Sequence, residues 1–457
     1  MQALAQQMMN NPVSLDIPAE PATGEPLTLN PAQIRQSLLE GNTSVILGAN
    51  RVHNARIQLS QVRARLLPNL NLGAMLMSAG SFGFGPLSAD FLLPFLLPHR
   101  WFENIQARHM VDAEKQAYLL LELNQYNSAL ELYYSYLNDL KARELQLEEV
   151  RQYERIESVT AKKYQLGQAR KDEYERTRAQ TSLSRVYVTR LNEMIIHERA
   201  ALRHVLGIPL TRGLNVEEVS VPATEKEAQP AQELLAAAFE KAPERSQLVS
   251  LMKASKAEKW AKIFGFINVF SLGRSFLNDA PKGFNSLQVQ GSLGIGFDYI
   301  PNIRLTNNNM EQLRIQEREL WHQLGEILER TVHQITVAKV AHKEASTAEA
   351  ASRSAFDTML KRYELGLENL TSVVVAGSQL RNAMQERLRT ESELNTLRAT
   401  LARTFMEFEF AHIRGCTLGA FAREKRKRVF ILSFFKDIFA GPSKDWISVE
   451  RMCSAKK

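Results

Sequence analysis

The spacing closest to a catalytic metal motif lies at His197 and Glu198, which begin the H-E-x-x-H pattern of zinc enzymes. That pattern needs a second histidine one helical turn later, but the next one in the chain is His204. The sequence also has neither a glycine-rich phosphate loop nor a nucleophile elbow. It therefore predicts a chain that is not an enzyme and that holds no cofactor and no metal.

Another pattern is more informative, because it is written twice. A basic residue, tyrosine, any residue, leucine and glycine follow one another at residues 163–167 and again at 362–366. Both copies lie inside long, charged, helix-patterned stretches. Residues 98–101 match 301–304 at nearly the same offset of about 200 residues, so the chain is predicted to be one structural unit repeated.

The repeat divides the chain into two units. A polar leader precedes the first unit, a linker separates the two, and a basic extension follows the second. The predicted boundaries are 1–26 for the disordered leader, 27–213 for unit one, 214–230 for the linker, 231–411 for unit two and 412–457 for the extension.

Each unit is predicted to contain a helix, two strands, a long helix, a tight glycine turn and a last helix, from the hydrophobic periods. In unit one the elements are predicted at 31–67, 69–77, 90–97, 101–165 and 171–205. In unit two they are predicted at 231–264, 266–276, 287–299, 305–364 and 370–409. The strict alternation in 287–299 suits a barrel strand with lipid on one face, and it equally suits a half-buried soluble sheet.

The length of the hairpins predicts an oligomer. A helix over 101–165 is about 96 Å long, and the two shorter helices of its unit, stacked end to end, would flank it. Such a hairpin buries its apolar stripe only against neighbouring hairpins, as in a coiled coil. Four strands in one chain also leave open sheet edges, which strands from other chains would close into a barrel.

Composition excludes some partners. The chain has 457 residues, a net charge of +7 and no run of about 20 apolar residues, so no transmembrane helix is expected. Acids are interspersed with the bases, which favours a solvated mixed-charge surface and no nucleic acid.

Cys416 and Cys453 lack C-x-x-C spacing, although they could pair in an oxidising compartment. The start at Met1 shows no complete signal peptide, although Ala3-x-Ala5 resembles a cleavage site.

An ordered set of short motifs resembles the TolC-type outer-membrane efflux protein family. The set covers roughly 27–410 and comprises 27–29, 64–68, 164–167, 203–207 and 363–366. The resemblance implies a mainly α fold with a small β part, in which three protomers form an α-barrel tunnel in the periplasm. Their strands would form a shared 12-stranded β-barrel in the lipid of the bacterial outer membrane. A homotrimer of this kind is a passive exit duct in a tripartite efflux pump or type I secretion system, for small molecules or proteins.

The resemblance also implies roles for residues at the two turns. A periplasmic adaptor protein would contact the helical tips, and an inner-membrane transporter would supply energy. The adaptor-facing residues would be Leu166, Gly167, Leu365 and Gly366. Acids that could ring the pore mouth and favour cations are Asp172, Glu173, Glu364 and Glu368. The alternatives are glycines that only form the turns and acids that only solvate helix ends.

Two further alternatives stay open. The same fold could serve as a coiled-coil structural scaffold that does not transport. The basic run at 423–428 and the apolar run after it could form an extra helix packed on the body, or a segment that touches a membrane surface or a partner.

Overall fold

The computed structural model describes residues 15–17, 26–66, 98–265 and 299–427. Over this part the chain is almost entirely helical. The helices are α1 Pro31–Gly41, α2 Thr43–Ala64, α3 Pro98–Gln165, α4 Lys171–Leu206, α5 Ala231–Lys241, α6 Pro243–Gly265, α7 Tyr299–Glu364, α8 Leu370–Phe405 and α9 Glu409–Lys427. The strands predicted at 69–77, 90–97, 266–276 and 287–298 lie outside the described residues, whereas Tyr299 begins α7. Among the described residues, no helix combines the length and apolar character needed to cross a membrane.

A short parallel sheet joins the first residues of unit one to the first residues of the linker that follows it. Strand β1, Leu27–Leu29, pairs with β2, Leu214–Val216, so that Leu27 lies opposite Leu214. The pairing continues for one residue, because the Glu217 amide donates to the Leu29 carbonyl at 3.0 Å. Residues predicted as linker therefore form a strand whose partner is distant in sequence.

The first helix of each unit, predicted as a single element, is two helices. The helix predicted over 31–67 breaks at Asn42, whose side-chain amide donates to the Val205 carbonyl at 2.6 Å. Gly41 lies so close to Leu206 that a Cβ at Gly41 would be 2.5 Å from the Leu206 carbonyl oxygen. The helix predicted over 231–264 breaks before Pro243, because proline has no amide hydrogen for an interior helical bond.

The helix predicted over 370–409 also ends early. Met406 and Phe408 adopt left-handed backbone angles, with φ of 55° and 51°, and α9 begins at Glu409. The Phe410 ring packs edge-on against Tyr126, with centroids 5.1 Å apart. Ile413, Ala420 and Phe421 are buried, so the described part of the extension is a helix packed on the body. Its Cys416 is disulfide-bonded, and Cys453 lies outside the described residues.

The chain forms two compact units, and each draws on both sequence repeats. The first takes residues from 1–43, 123–234 and 327–457, and the second from 44–122 and 235–326. The boundaries fall within α2, α3, α5 and α7. The glycine turns lie in the first unit, and the helix ends that flank 67–97 and 266–298 lie in the second.

Candidate functional site

The repeated motif is a helix C-cap. In the first turn the Gln168 amide donates to the Lys163 carbonyl at 2.8 Å, and the Gly167 amide donates to the Tyr164 carbonyl at 3.0 Å. This pair of bonds defines a Schellman motif, which needs a left-handed residue at the glycine position. Gly167 meets that need, with φ of 72°.

The second turn repeats the same geometry. The Leu367 amide donates to the Arg362 carbonyl at 2.8 Å, the Gly366 amide donates to the Tyr363 carbonyl at 3.0 Å, and Gly366 has φ of 75°. A Cβ built on either glycine would meet no atom within 4 Å. The two turns join α3 to α4 and α7 to α8, and we call them tip one (residues 166–170) and tip two (residues 365–369).

Both tips present leucine side chains to solvent. Leu166 is 72% exposed and Leu365 is 73% exposed, and Leu367 is similarly exposed. Each of the first two is the residue before the glycine, where the Schellman motif turns the side chain away from the helix. At tip two, Leu365 and Leu367 are two residues apart, and neighbouring exposed leucines are typical of a surface that a partner covers. The structure thus places the four predicted tip residues at two apolar, open turns.

The two hairpins pack together just before their tips. The Tyr363 hydroxyl lies 2.6 Å from the Thr160 hydroxyl, and Lys163 Nζ donates to the Tyr363 carbonyl at 2.5 Å. Burial raises the pKa of the Tyr363 phenol. A core cluster surrounds this contact, with buried members on α3, α7 and α8: Tyr153, Ile156, Phe356, Leu360, Tyr363, Leu370, Val373, Ala376, Leu380 and Met384.

Each predicted pore-mouth acid has a basic neighbour. Asp172 and Glu173 lie in the first turn of α4, 3.4 Å and 3.8 Å from the Arg170 guanidinium. Glu364 lies 2.7 Å from the Arg155 guanidinium, which ties α7 to α3.

Glu368 has a local partner set at tip two. It accepts hydrogen bonds from the Asn369 amide at 3.3 Å and the Ser372 hydroxyl at 3.0 Å, and Arg362 lies 4.0 Å away. The Asn369 bond first, and then the Ser372 bond, lower the pKa of the Glu368 carboxyl. Among the described residues, no three acidic, histidine or cysteine side chains converge as metal ligands.

Sequence reasoning missed the residues that join the hairpins. Arg155, Thr160, Lys163 and Tyr363 make these contacts, and none was singled out for them. A signal existed on α3, because residues 153, 156, 160 and 163 step by three and four along one helical face. The exposed Leu367 was also missed as a tip residue. It follows Gly366 in tip two, where tip one has Gln168 after Gly167.

No protein-family model and no curated protein matches the sequence. Solved structures do match. The outer membrane protein VceC from Vibrio cholerae is 12% identical, with a TM-score of 0.62 over 82% of this chain and 95% of that one. The Campylobacter jejuni CmeC outer membrane channel is 13% identical, with a TM-score of 0.62 over 82% and 85%. CusC is 12% identical, with a TM-score of 0.62 over 87% and 98%.

The chain has the TolC-type channel fold. Identities this low establish the fold alone. Within that fold, the tips are the ends of the two helical hairpins. The resemblance found in the short sequence motifs is therefore confirmed at the level of architecture.

Proposed function

We propose that the chain is the outer-membrane channel component of a tripartite efflux pump or type I secretion system. One observation carries this proposal: the fold is that of VceC, CmeC and CusC, and the match spans 85–98% of those chains. In this role the chain is a passive exit duct for small molecules or proteins. It sits in the bacterial outer membrane, and its helices form a tunnel in the periplasm.

The proposal includes a homotrimer with a shared 12-stranded barrel. Apolar side chains that are exposed in one copy support it. Leu183, Val186 and Met194 on α4 and Val337 and Val340 on α7 are all exposed. Long helices with such uncovered stripes are stabilised by packing against further helices, and copies of the same chain supply them.

The proposal also assigns the tips to a periplasmic adaptor, with an inner-membrane transporter as the energy source. Leu166 and Leu365 would enter apolar grooves of the adaptor. Gly167 and Gly366 would let its backbone approach closely, since both glycine positions face open space. The acids Asp172, Glu173, Glu364 and Glu368 would line the mouth of the pore and favour cations.

Single-channel conductance of the purified oligomer in a planar bilayer, with its mass measured alongside, tests the proposal. A trimeric mass with a steady conductance is expected. A protein that stays out of the bilayer would overturn the duct and favour the scaffold. The reversal potential in a salt gradient tests the acids, because D172N combined with E364Q should reduce cation preference.

The tips have a matched test within the chain. We expect L166D and L365D together to weaken adaptor binding at least tenfold, because a charge would replace the apolar contact at the centre of the interface. The control is L210D, since Leu210 is 73% exposed but lies beyond the opposite end of α4. Equal binding by the tip variant and the control would disprove the assignment.

A further inference from the structure

Four helix ends meet at one end of the second compact unit. The Arg100 guanidinium, at the start of α3, donates to the Arg65 carbonyl just after α2, at 2.7 Å. Lys262, near the end of α6, donates to the Thr306 hydroxyl near the start of α7, at 3.0 Å. In the sequence, these four helix ends flank the segments 67–97 and 266–298. They are the segments for which the sequence predicts strands.

Aromatic rings gather at the same ends. Phe102 stacks on Phe264 with centroids 5.4 Å apart and planes within 3° of parallel, and Trp260 stacks on Phe264 at 5.9 Å. Phe102 and Trp260 are 6.2 Å apart, so α3 and α6 are joined by a three-ring stack. Trp260 and Trp101 are each 41% exposed, and Ile300, at the start of α7, is 60% exposed.

The charges at these ends are mostly positive. Within seven residues of the four ends the acids are Glu103, Glu258 and Asp298. Glu258 pairs with Lys262, one turn away on α6, at 2.7 Å. The basic residues in the same windows are Arg63, Arg65, Arg100, Lys259, Lys262 and Arg304.

Exposed tryptophan next to arginine and lysine is typical of a membrane–water interface. The indole prefers the headgroup level, and each basic residue near an anionic leaflet adds to the attraction. Anionic headgroups complement both the rings and the charge.

We propose that these helix ends form a collar that lies at the headgroup level of the periplasmic leaflet and binds anionic phospholipids. The collar is defined as Arg65, Trp101, Phe102, Trp260, Phe264 and Arg304. This inference rests on the proposed function, which places the segments beyond the collar in the membrane. It adds that helices, in addition to strands, contact lipid, and that the lipid is selected by charge.

The test uses the tryptophans of the chain, which are Trp101, Trp260, Trp321 and Trp446. Variants that keep one of the first three, with phenylalanine at the other positions, are reconstituted into vesicles containing brominated phosphatidylcholine. Trp321 is the matched control. It lies on α7 about 33 Å along the helix from Tyr299, beyond the headgroup layer, and packs edge-on against Phe239 at 5.0 Å.

Trp101 and Trp260 are expected to be quenched, and more strongly by bromines near the headgroup than by bromines near the chain ends. Trp321 is expected to keep its emission. Quenching of all three to the same small extent, in protein that floats with the vesicles and conducts, overturns the collar and leaves the duct intact. Failure to float with vesicles overturns both. If a single-tryptophan protein does not assemble, W101F, W260F and W321F in the otherwise intact chain give the same comparison.

Lipid selectivity is measured with the variant that keeps only Trp260. Brominated phosphatidylglycerol is expected to quench it at least threefold more effectively than brominated phosphatidylcholine at the same mole fraction. R304Q should reduce that preference. R318Q should not, because Arg318 is on the same helix but about 21 Å further along, roughly two and a half Debye lengths at physiological salt. Equal quenching by the two lipids, or equal effects of R304Q and R318Q, would contradict anionic selection.

Discussion

The two hairpin tips share a backbone and differ in how their side chains are held. Gly167 and Gly366 have φ within a few degrees of each other and close the same Schellman bonds. The tyrosines three residues earlier, Tyr164 and Tyr363, occupy equivalent positions in the motif. Yet Tyr363 is buried against Thr160, whereas Tyr164 is partly exposed and stacks on Tyr174 with centroids 5.7 Å apart.

The entry into the following helix differs as well. At tip two the Asn369 side chain caps α8 by accepting from the Ser372 amide at 2.9 Å. At tip one the equivalent residue is Arg170, which makes no side-chain capping bond and instead pairs with Asp172 and Glu173. Exposed ion pairs of this kind contribute between 0 and about 1 kcal/mol. Tip two is therefore anchored to the body, and tip one is the looser of the two.

The largest expected effect comes from truncating the two tyrosines. Y363A should lower the local opening free energy of tip two by about 3–5 kcal/mol, because it removes a buried aromatic ring from the core cluster. Y164A should cost tip one less than about 1 kcal/mol, because its ring already contacts water. Hydrogen exchange of the tip amides, followed by mass spectrometry, measures both values. Similar losses of local opening free energy at the two tips would contradict the claim that tip two is the more firmly anchored.

Alanine at the turn glycines should act equally on both tips. G167A and G366A each force a side chain into the left-handed region, at a cost of about 1–2 kcal/mol. Neither new methyl group clashes with a neighbour, so the backbone angle is the whole cause. G415A is the control, since Gly415 lies inside α9 and alanine there should slightly stabilise the helix. Unequal effects of G167A and G366A would show that the turns are not equivalent.

The sequence predicted both turns because their physics is local. A leucine and glycine at the end of a helical pattern encode the C-cap, and basic residues in the last turn match the helix dipole. The breaks at Met406 and Phe408 were missed, since neither residue favours a left-handed angle. The break before Pro243 could have been found, because proline is enriched at the first helical position.

Contacts between distant segments could not be predicted from local pattern. The two repeat tyrosines are indistinguishable in their own motifs, and only the neighbour on the other hairpin decides which one is buried. For Tyr363 that neighbour is Thr160, about 200 residues away in sequence. The pairing of β1 with β2 has the same origin. The adaptor contact of the tips and the cation preference given by the pore-mouth acids stay predictions, because they depend on other chains.

A smaller effect should separate the two helix caps. N369A should lower the local opening free energy of tip two by about 1 kcal/mol, because the Ser372 amide loses its side-chain acceptor. R170A should change tip one by less than half of that. R170N sharpens the comparison, since it offers tip one the missing cap and should stabilise the start of α4 by up to about 1 kcal/mol. Hydrogen exchange at the first turns of α4 and α8 reports both, and a destabilising R170N would contradict the capping argument.

The smallest expected effect is a pH dependence confined to tip two. The lowered pKa of Glu368 means that the folded tip favours the ionised carboxylate more than the unfolded chain does. Its contribution is therefore fully present above the ordinary pKa of glutamate and is lost as pH falls through the lowered value. The protection of the Asn369 and Ser372 amides in the native protein should exceed that in E368Q at neutral pH. The two proteins should converge once Glu368 is protonated. Tip one lacks this carboxylate bond, so E368Q should leave the Arg170 amide unchanged at every pH, and a difference that persists in acid would assign the effect to packing instead.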